Sequence, residues 1–112
     1  MENLKTIVEF LQTKQIIFKS FKEVSPKELG TRKKVSIYIG TDLQGYYADI
    51  MWLEKKSRVL RKEVEELIKL HEKLEKYIDS SIKKKYIIIV APLCSKAKVL
   101  LEEKNWKVWH HV

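Results

Sequence analysis

Cysteine, proline and glycine are all scarce in this sequence of 112 residues, which contains one cysteine, two prolines and three glycines. A single cysteine cannot form an internal disulfide, so the chain is not a disulfide-stapled domain. Few prolines and glycines beside 45% hydrophobic residues exclude collagen-like and disordered proteins and predict a folded globule. Long apolar runs are also missing: residues 87–91 form one of the longest, far below the roughly 20 residues of a membrane span.

Positive charge exceeds negative charge. The chain has 23 Lys and Arg residues against 15 Asp and Glu residues, for a formal net charge of +8. A field of this sign attracts polyanions, because contacts with phosphates release their condensed counterions. Nucleic acid is therefore the first partner to consider, although a surplus of lysine also serves simply to keep a small protein in solution.

The length fits one domain, which we expect to span residues 1–112. The N-terminal residues lack the basic and apolar regions of a secretory signal. Together with the single Cys94, this favours an intracellular, reducing location such as the cytoplasm.

Hydrophobic periodicity predicts the order of elements. Apolar residues at helical spacing indicate helices, whereas alternating or continuous apolar runs indicate strands. The prediction is a helix over residues 2–14, strands over 15–24, 35–40 and 46–56, a long helix over 57–79, a strand over 86–91, a short helix over 95–103 and a strand over 106–112. The second and third strands should form a hairpin. We expect an α/β (α+β) domain of order αβββαβαβ, with helices packed on a mixed sheet of about five strands.

Two acidic residues and a lysine form the first candidate site. Asp42 follows the second strand, and Glu54 and Lys56 lie two residues apart on the third, so that their side chains share a face. Two carboxylates at one sheet end can bind a hard divalent cation, and an ammonium group beside them can position a water. We therefore expect Asp42 and Glu54 to converge, and Asp49, of opposite parity, to face away.

The element order, with Asp42 followed by Glu54-Lys55-Lys56 and then a long helix, resembles the PD-(D/E)xK nuclease superfamily, which includes Holliday-junction resolvases and restriction endonucleases. The resemblance covers nearly the whole chain. It implies that Asp42 and Glu54 bind Mg²⁺ and that Lys56 assists the attacking water. It also implies a nucleic-acid partner, DNA before RNA.

Basic residues gather near the ends of the predicted elements, where a phosphate backbone could reach them. By contrast, the mixed charges of the long helix are typical of a solvated face. The predicted nucleic-acid-binding residues are Arg32, Lys33, Lys34, Lys55, Arg58, Arg61, Lys62, Lys83, Lys84 and Lys85.

A second candidate site follows the predicted strand 86–91. The loop opens a helix at Ser95, where free backbone N–H groups and Lys96 could bind an anion. Cys94 would be activated by the same helix start, although a partly buried, inert thiol is the commoner case. His71 lies in the apolar stripe of the long helix, which predicts a packed, hydrogen-bonded imidazole. His110 and His111 alternate faces, which does not favour a shared metal.

Three functions stay open at this point. The first is a Mg²⁺-dependent nuclease that uses Asp42, Glu54 and Lys56. The second is a nucleic-acid-binding module without catalysis, in which Glu54 and Lys56 are exposed strand-end charges and Asp42 is a turn residue. The third is a homodimeric protein-interaction domain, held together by exposed aromatic residues.

Overall fold

The computed structural model describes residues 4–110 of the chain. Its elements are α1 (Leu4–Thr13), β1 (Phe18–Val24), a 3₁₀ turn (Pro26–Leu29), β2 (Ser36–Asp42), β3 (Tyr47–Glu54), α2 (Arg61–Ile78), β4 (Lys84–Val90), α3 (Ser95–Glu103) and β5 (Lys107–His110). The predicted order αβββαβαβ is confirmed. The predicted ends of the first helix and of the last strand, residues 2–3 and 111–112, lie outside the described residues.

The five strands form one mixed sheet in the order β1-β2-β3-β4-β5. β1 pairs antiparallel with β2, and β2 pairs antiparallel with β3 in the predicted hairpin. β4 runs parallel to β3, and β5 runs parallel to β4. Because the parallel connections need crossovers, the chain returns through α2 between β3 and β4 and through α3 between β4 and β5.

Helices cover both faces of the sheet. On one face, α2 and α3 pack on odd-numbered residues of β3 and β4, among them Met51, Leu53 and Ile87. On the other face, Ile7 and Leu11 of α1 pack on even-numbered residues. β3 is buried on both faces from Ala48 to Leu53, which explains why its apolar residues follow no alternating pattern. The fold is a single α+β domain.

α2 begins at Arg61, four residues later than predicted. Val59 forms an isolated parallel bridge with Leu93, and its N–H donates to the Pro92 carbonyl at 2.8 Å. This pairing keeps the chain extended after β3 and delays the helix. α2 is the longest helix, and no described helix is both long enough and apolar enough to cross a membrane.

Candidate functional site

The parallel strands β3, β4 and β5 all end at one edge of the sheet, where α2 and α3 begin. We call this the carboxyl edge; it is formed by residues 32–34, 54–62, 91–96 and 110. The Lys55 N–H donates to the Val90 carbonyl at 3.2 Å, and the Cys94 N–H donates to the Val59 carbonyl at 3.0 Å. His110 Nε2 lies 2.6 Å from the Ala91 carbonyl oxygen. Ligands of open α/β sheets commonly bind at such an edge.

A half-buried carboxylate connects three segments of this edge. Glu63, in the first turn of α2, lies 2.8 Å from Lys33 Nζ and 2.7 Å from Lys55 Nζ. Burial opposes ionisation of Glu63, but hydrogen bonds from Lys33 and Lys55 outweigh it and lower the pKa of the carboxyl group. Two of the predicted phosphate-binding lysines are therefore already neutralised by a structural ion pair.

Several other cations of the carboxyl edge are exposed. Arg61 lies 3.9 Å from Glu65 in a solvent-exposed pair, which holds it weakly. Within residues 4–110, no ion pair is formed by the remaining basic side chains of the edge, which are Arg32, Lys34, Lys56, Arg58, Lys62 and Lys96. These side chains give the edge a surplus of available positive charge.

Two helices start at this edge. The side chain of Leu60, which precedes α2, does not cap its helix, whereas the thiol of Cys94 lies at the first N–H groups of α3. The backbone N–H groups of Ala97 and Lys96, with Arg58 nearby, lower the pKa of the Cys94 thiol. This direction is the one expected for a thiol at the start of a helix.

The structure separates the two carboxylates of the predicted metal site. Glu54 ends β3 at the carboxyl edge, whereas Asp42 ends the antiparallel β2 at the opposite edge, level with Tyr46. At about 3.3 Å per residue, the length of β3 puts roughly 25 Å between them. The prediction that Asp42 and Glu54 converge is wrong, because both cannot lie at the same end of an antiparallel hairpin.

Glu54 lies beyond the paired part of the β2–β3 hairpin, which ends at the pair of Ser36 with Trp52. Glu54 is exposed and accepts a hydrogen bond from Trp52 Nε1 at 3.3 Å. In the described part of the chain, no three His, Cys, Asp or Glu residues are grouped so as to hold a metal ion. The donor set of these residues does not fit the Mg²⁺ site that the resemblance implied.

Asp42 stabilises the hairpin turn. Its Oδ1 accepts from the backbone N–H groups of Gln44 and Tyr46, each at 2.9 Å, and its Oδ2 lies 3.2 Å from Lys84 Nζ. The Tyr46 hydrogen bond is the main cause that lowers the pKa of Asp42, against the opposing effect of burial. Asp42 thus behaves as the turn residue of the second alternative.

The last three predicted phosphate-binding lysines lie beside Asp42 at the end of the sheet that we call the amino edge, residues 42–47 and 83–85. Lys84 pairs with Asp42, and Lys85 Nζ donates to the Lys104 carbonyl at 2.6 Å. Lys83 lies over the Tyr46 ring, 5.9 Å from its centroid. The ten predicted residues are therefore divided between two separate edges and do not form one surface.

A buried pair of polar residues, His71 and Asp49, lies under α2. His71 Nδ1 is 2.6 Å from Asp49 Oδ2, and the ring packs edge-on against Trp106. The packed imidazole predicted for His71 is confirmed, and Asp49 faces away from Glu54 as its parity predicted. Desolvation raises the pKa of Asp49, against the stabilising contact with His71. The alternation of side chains along β3 predicts the face of the sheet on which Asp49 lies, but it does not reveal that His71 is its partner.

Solved structures share this fold. No family model and no curated protein matches the sequence. EndoMS in its apo form matches with a TM-score of 0.58 and 16% identity, over 98% of this chain and 46% of that chain. A repair endonuclease from Pyrococcus abyssi matches with a TM-score of 0.54 and 15% identity, over 98% and 47%. An EndoMS–dsDNA complex matches with a TM-score of 0.52 and 17% identity, over 93% and 42%.

This chain thus spans less than half the length of each matched protein. At these identities the likeness extends to the fold. The chain shares its fold with parts of EndoMS and of the repair endonuclease, which agrees with the fold expected from the resemblance described above.

Proposed function

We propose that this protein is a nucleic-acid-binding module with a nuclease-like fold, which binds phosphates at the carboxyl edge. The observation that carries the proposal is the group of exposed cations at that edge that form no ion pair within residues 4–110, among them Lys34, Lys56 and Arg58. The uncapped start of α2 adds backbone donors to the same surface. Cations and N–H groups of this kind bind phosphate oxygens without reading sequence.

The positions of the two carboxylates favour metal-independent binding over metal-dependent hydrolysis. Glu54 and Asp42 lie at opposite ends of the hairpin and cannot share a metal ion, and Asp42 stabilises the turn at the amino edge. The module should therefore bind nucleic acid equally well in EDTA and in Mg²⁺, apart from the effect of ionic strength.

DNA is the preferred ligand in this proposal. One matched structure is an EndoMS–dsDNA complex, and another is called a repair endonuclease. Those ligands and activities belong to proteins more than twice as long as this chain, so they support duplex DNA here only by analogy of fold.

A metal-dependent nuclease is the second candidate. The endonuclease fold favours it, as does the position of Glu54-Lys55-Lys56 at the end of the central strand β3. In this candidate Glu54 and Lys56 would be needed for cleavage. The module and the nuclease therefore make opposite predictions for the variant Glu54→Ala.

The binding proposal is tested by fluorescence anisotropy with a labelled DNA duplex. The variant Lys56→Ala/Arg58→Ala should bind at least about tenfold more weakly at low salt, since each lost phosphate contact weakens binding. The control Lys19→Ala/Lys22→Ala removes the same charge from exposed positions of β1 and should change affinity little. Equal losses in both variants would contradict a localised surface.

Glu54→Ala separates binding from catalysis. We expect it to bind as tightly as the wild type or more tightly, because it removes a negative charge from the edge. Plasmid DNA incubated with protein and Mg²⁺ should remain intact. Cleavage that is lost in Glu54→Ala and in Lys56→Ala would reject the module and favour the nuclease.

Two further predictions belong to this proposal. The exposed side chains of Ile17, Leu43 and Tyr46, near the amino edge, favour the alternative of a homodimer. Sedimentation at two salt concentrations tests it, because apolar self-association should resist salt.

The intracellular location expected from the single cysteine also stays a prediction.

A further inference from the structure

A basic groove runs beside α2 and adjoins the carboxyl edge at Arg32 and Lys33. It has a volume of about 490 Å³ and lies between the segment that precedes β2 and the outer face of the helix. Four cations and one carboxylate line it, and its lining residues are Thr31, Arg32, Lys33, Glu66, Lys69, Leu70 and Lys73. The excess of cations makes the groove suited to an anionic ligand.

Lys69 and Lys73 are the new members of this group, because the pattern of mixed charges assigned them to a solvated helix face. Both side chains are exposed, and within residues 4–110 neither forms an ion pair. They lie one turn apart, so their charges repel each other and slightly destabilise the isolated helix. An anion bound between them would remove that repulsion.

The groove is continuous with the carboxyl edge. Lys33 belongs to both, since its Nζ lies 2.8 Å from Glu63 and 3.5 Å from Glu66. Lys62, at the start of α2, shares the helix face of Lys69 and Lys73 at spacings of seven and eleven residues. The three lysines therefore span roughly 16 Å along the helix axis, at about 1.5 Å per residue.

We propose that this groove is a second phosphate-binding track, which carries a nucleic-acid backbone from the carboxyl edge along α2. The inference rests on the proposed function. A track of roughly 16 Å is longer than the distance between two neighbouring phosphates of one strand, so it can contact several phosphates in succession. The ligand is thus a polymer, and a mononucleotide would occupy only part of the surface.

The salt dependence of DNA affinity tests the track. For each variant, log Kd is measured against log salt between about 50 and 200 mM with one labelled duplex. Lys69→Ala/Lys73→Ala should reduce the magnitude of the slope by about 1.8, since each phosphate contact contributes about 0.9. The ratio of the variant's Kd to the wild-type Kd should then fall about tenfold between the lowest and the highest salt concentration. Alanine suits a helix, so unfolding in urea should confirm that the variant is folded.

The variant Lys19→Ala/Lys22→Ala is the matched control, with the same charge loss on β1 and an expected slope equal to that of the wild type. If Lys69→Ala/Lys73→Ala keeps the wild-type slope while Lys56→Ala/Arg58→Ala lowers it, the track is wrong and the carboxyl edge stands. If the wild type shows no salt-dependent binding, the proposed function and the track both fail.

Discussion

At the scale of single residues, the two buried aspartates are held by different partners. Asp42 accepts backbone N–H groups of its own turn and faces Lys84, whereas Asp49 contacts His71 inside the core. A buried carboxylate needs such partners because water no longer solvates it. Both side chains are engaged in the architecture, which is why the sequence motif around Asp42 does not produce a metal site.

The first prediction concerns the titration of Asp42. Its pKa should lie below 3.8 in the folded protein, because the Tyr46 N–H stabilises the carboxylate. A pKa that is lower in the folded than in the unfolded state stabilises the fold above the unfolded value, and this contribution is lost as the pH falls through the folded value. The stability gap between wild type and Asp42→Ala should therefore close in acid. Carboxyl NMR of the wild type measures the pKa, and a value above 3.8 would refute the assignment.

The second prediction concerns the buried pair under α2. His71→Ala leaves Asp49 without its partner and should lower the free energy of unfolding by about 3–5 kcal/mol. The double variant Asp49→Leu/His71→Leu should recover most of this loss, because an apolar pair needs no compensation. Chemical denaturation measures both. A loss below about 1 kcal/mol in His71→Ala would mean that the pair behaves like an exposed one.

At the scale of elements, β1 packs closely on β2. A Cβ added at Gly40 would lie 2.7 Å from Cδ1 of the Phe18 ring, too close for an ordinary contact. Phe18 in turn stacks on Phe21, with ring centroids 5.6 Å apart. The ring therefore uses the space that glycine leaves on the neighbouring strand.

The third prediction follows from this contact. Gly40→Ala should destabilise the protein by about 1–3 kcal/mol, because the ring must move out of a packed position. In Phe18→Leu the same substitution should cost less, which gives a favourable coupling in a double-mutant cycle. Denaturation of the four proteins measures the coupling. Additive effects would indicate that the two residues do not meet.

Periodicity was enough to predict the elements, their order and the hairpin, because each depends on neighbours in sequence. The delayed start of α2 depends instead on the bridge between Val59 and Leu93, which local pattern does not contain. The sequence itself contains the reason why Asp42 and Glu54 lie far apart. A hairpin turn directly after Asp42 already implies that Glu54, at the far end of the next strand, lies at the opposite sheet edge.

At the scale of the whole molecule, the net charge is +8, but not all basic side chains are available to a ligand. Lys33, Lys55 and Lys84 are paired with carboxylates, whereas the carboxyl edge and the groove beside α2 carry exposed cations such as Lys56, Lys69 and Lys73. The amino edge combines satisfied lysines with exposed apolar side chains. The molecule therefore presents one face suited to phosphates and a different one suited to apolar contacts.

The most direct test of the central claim is a proton–nitrogen correlation NMR titration of the full chain with a short DNA duplex in EDTA. The account predicts that amide signals of residues 32–34, 54–62 and 93–97 shift on binding, while those of residues 42–47 and 83–85 stay in place. Shifts concentrated in residues 42–47 and 83–85, or no shifts at saturating DNA, would contradict it.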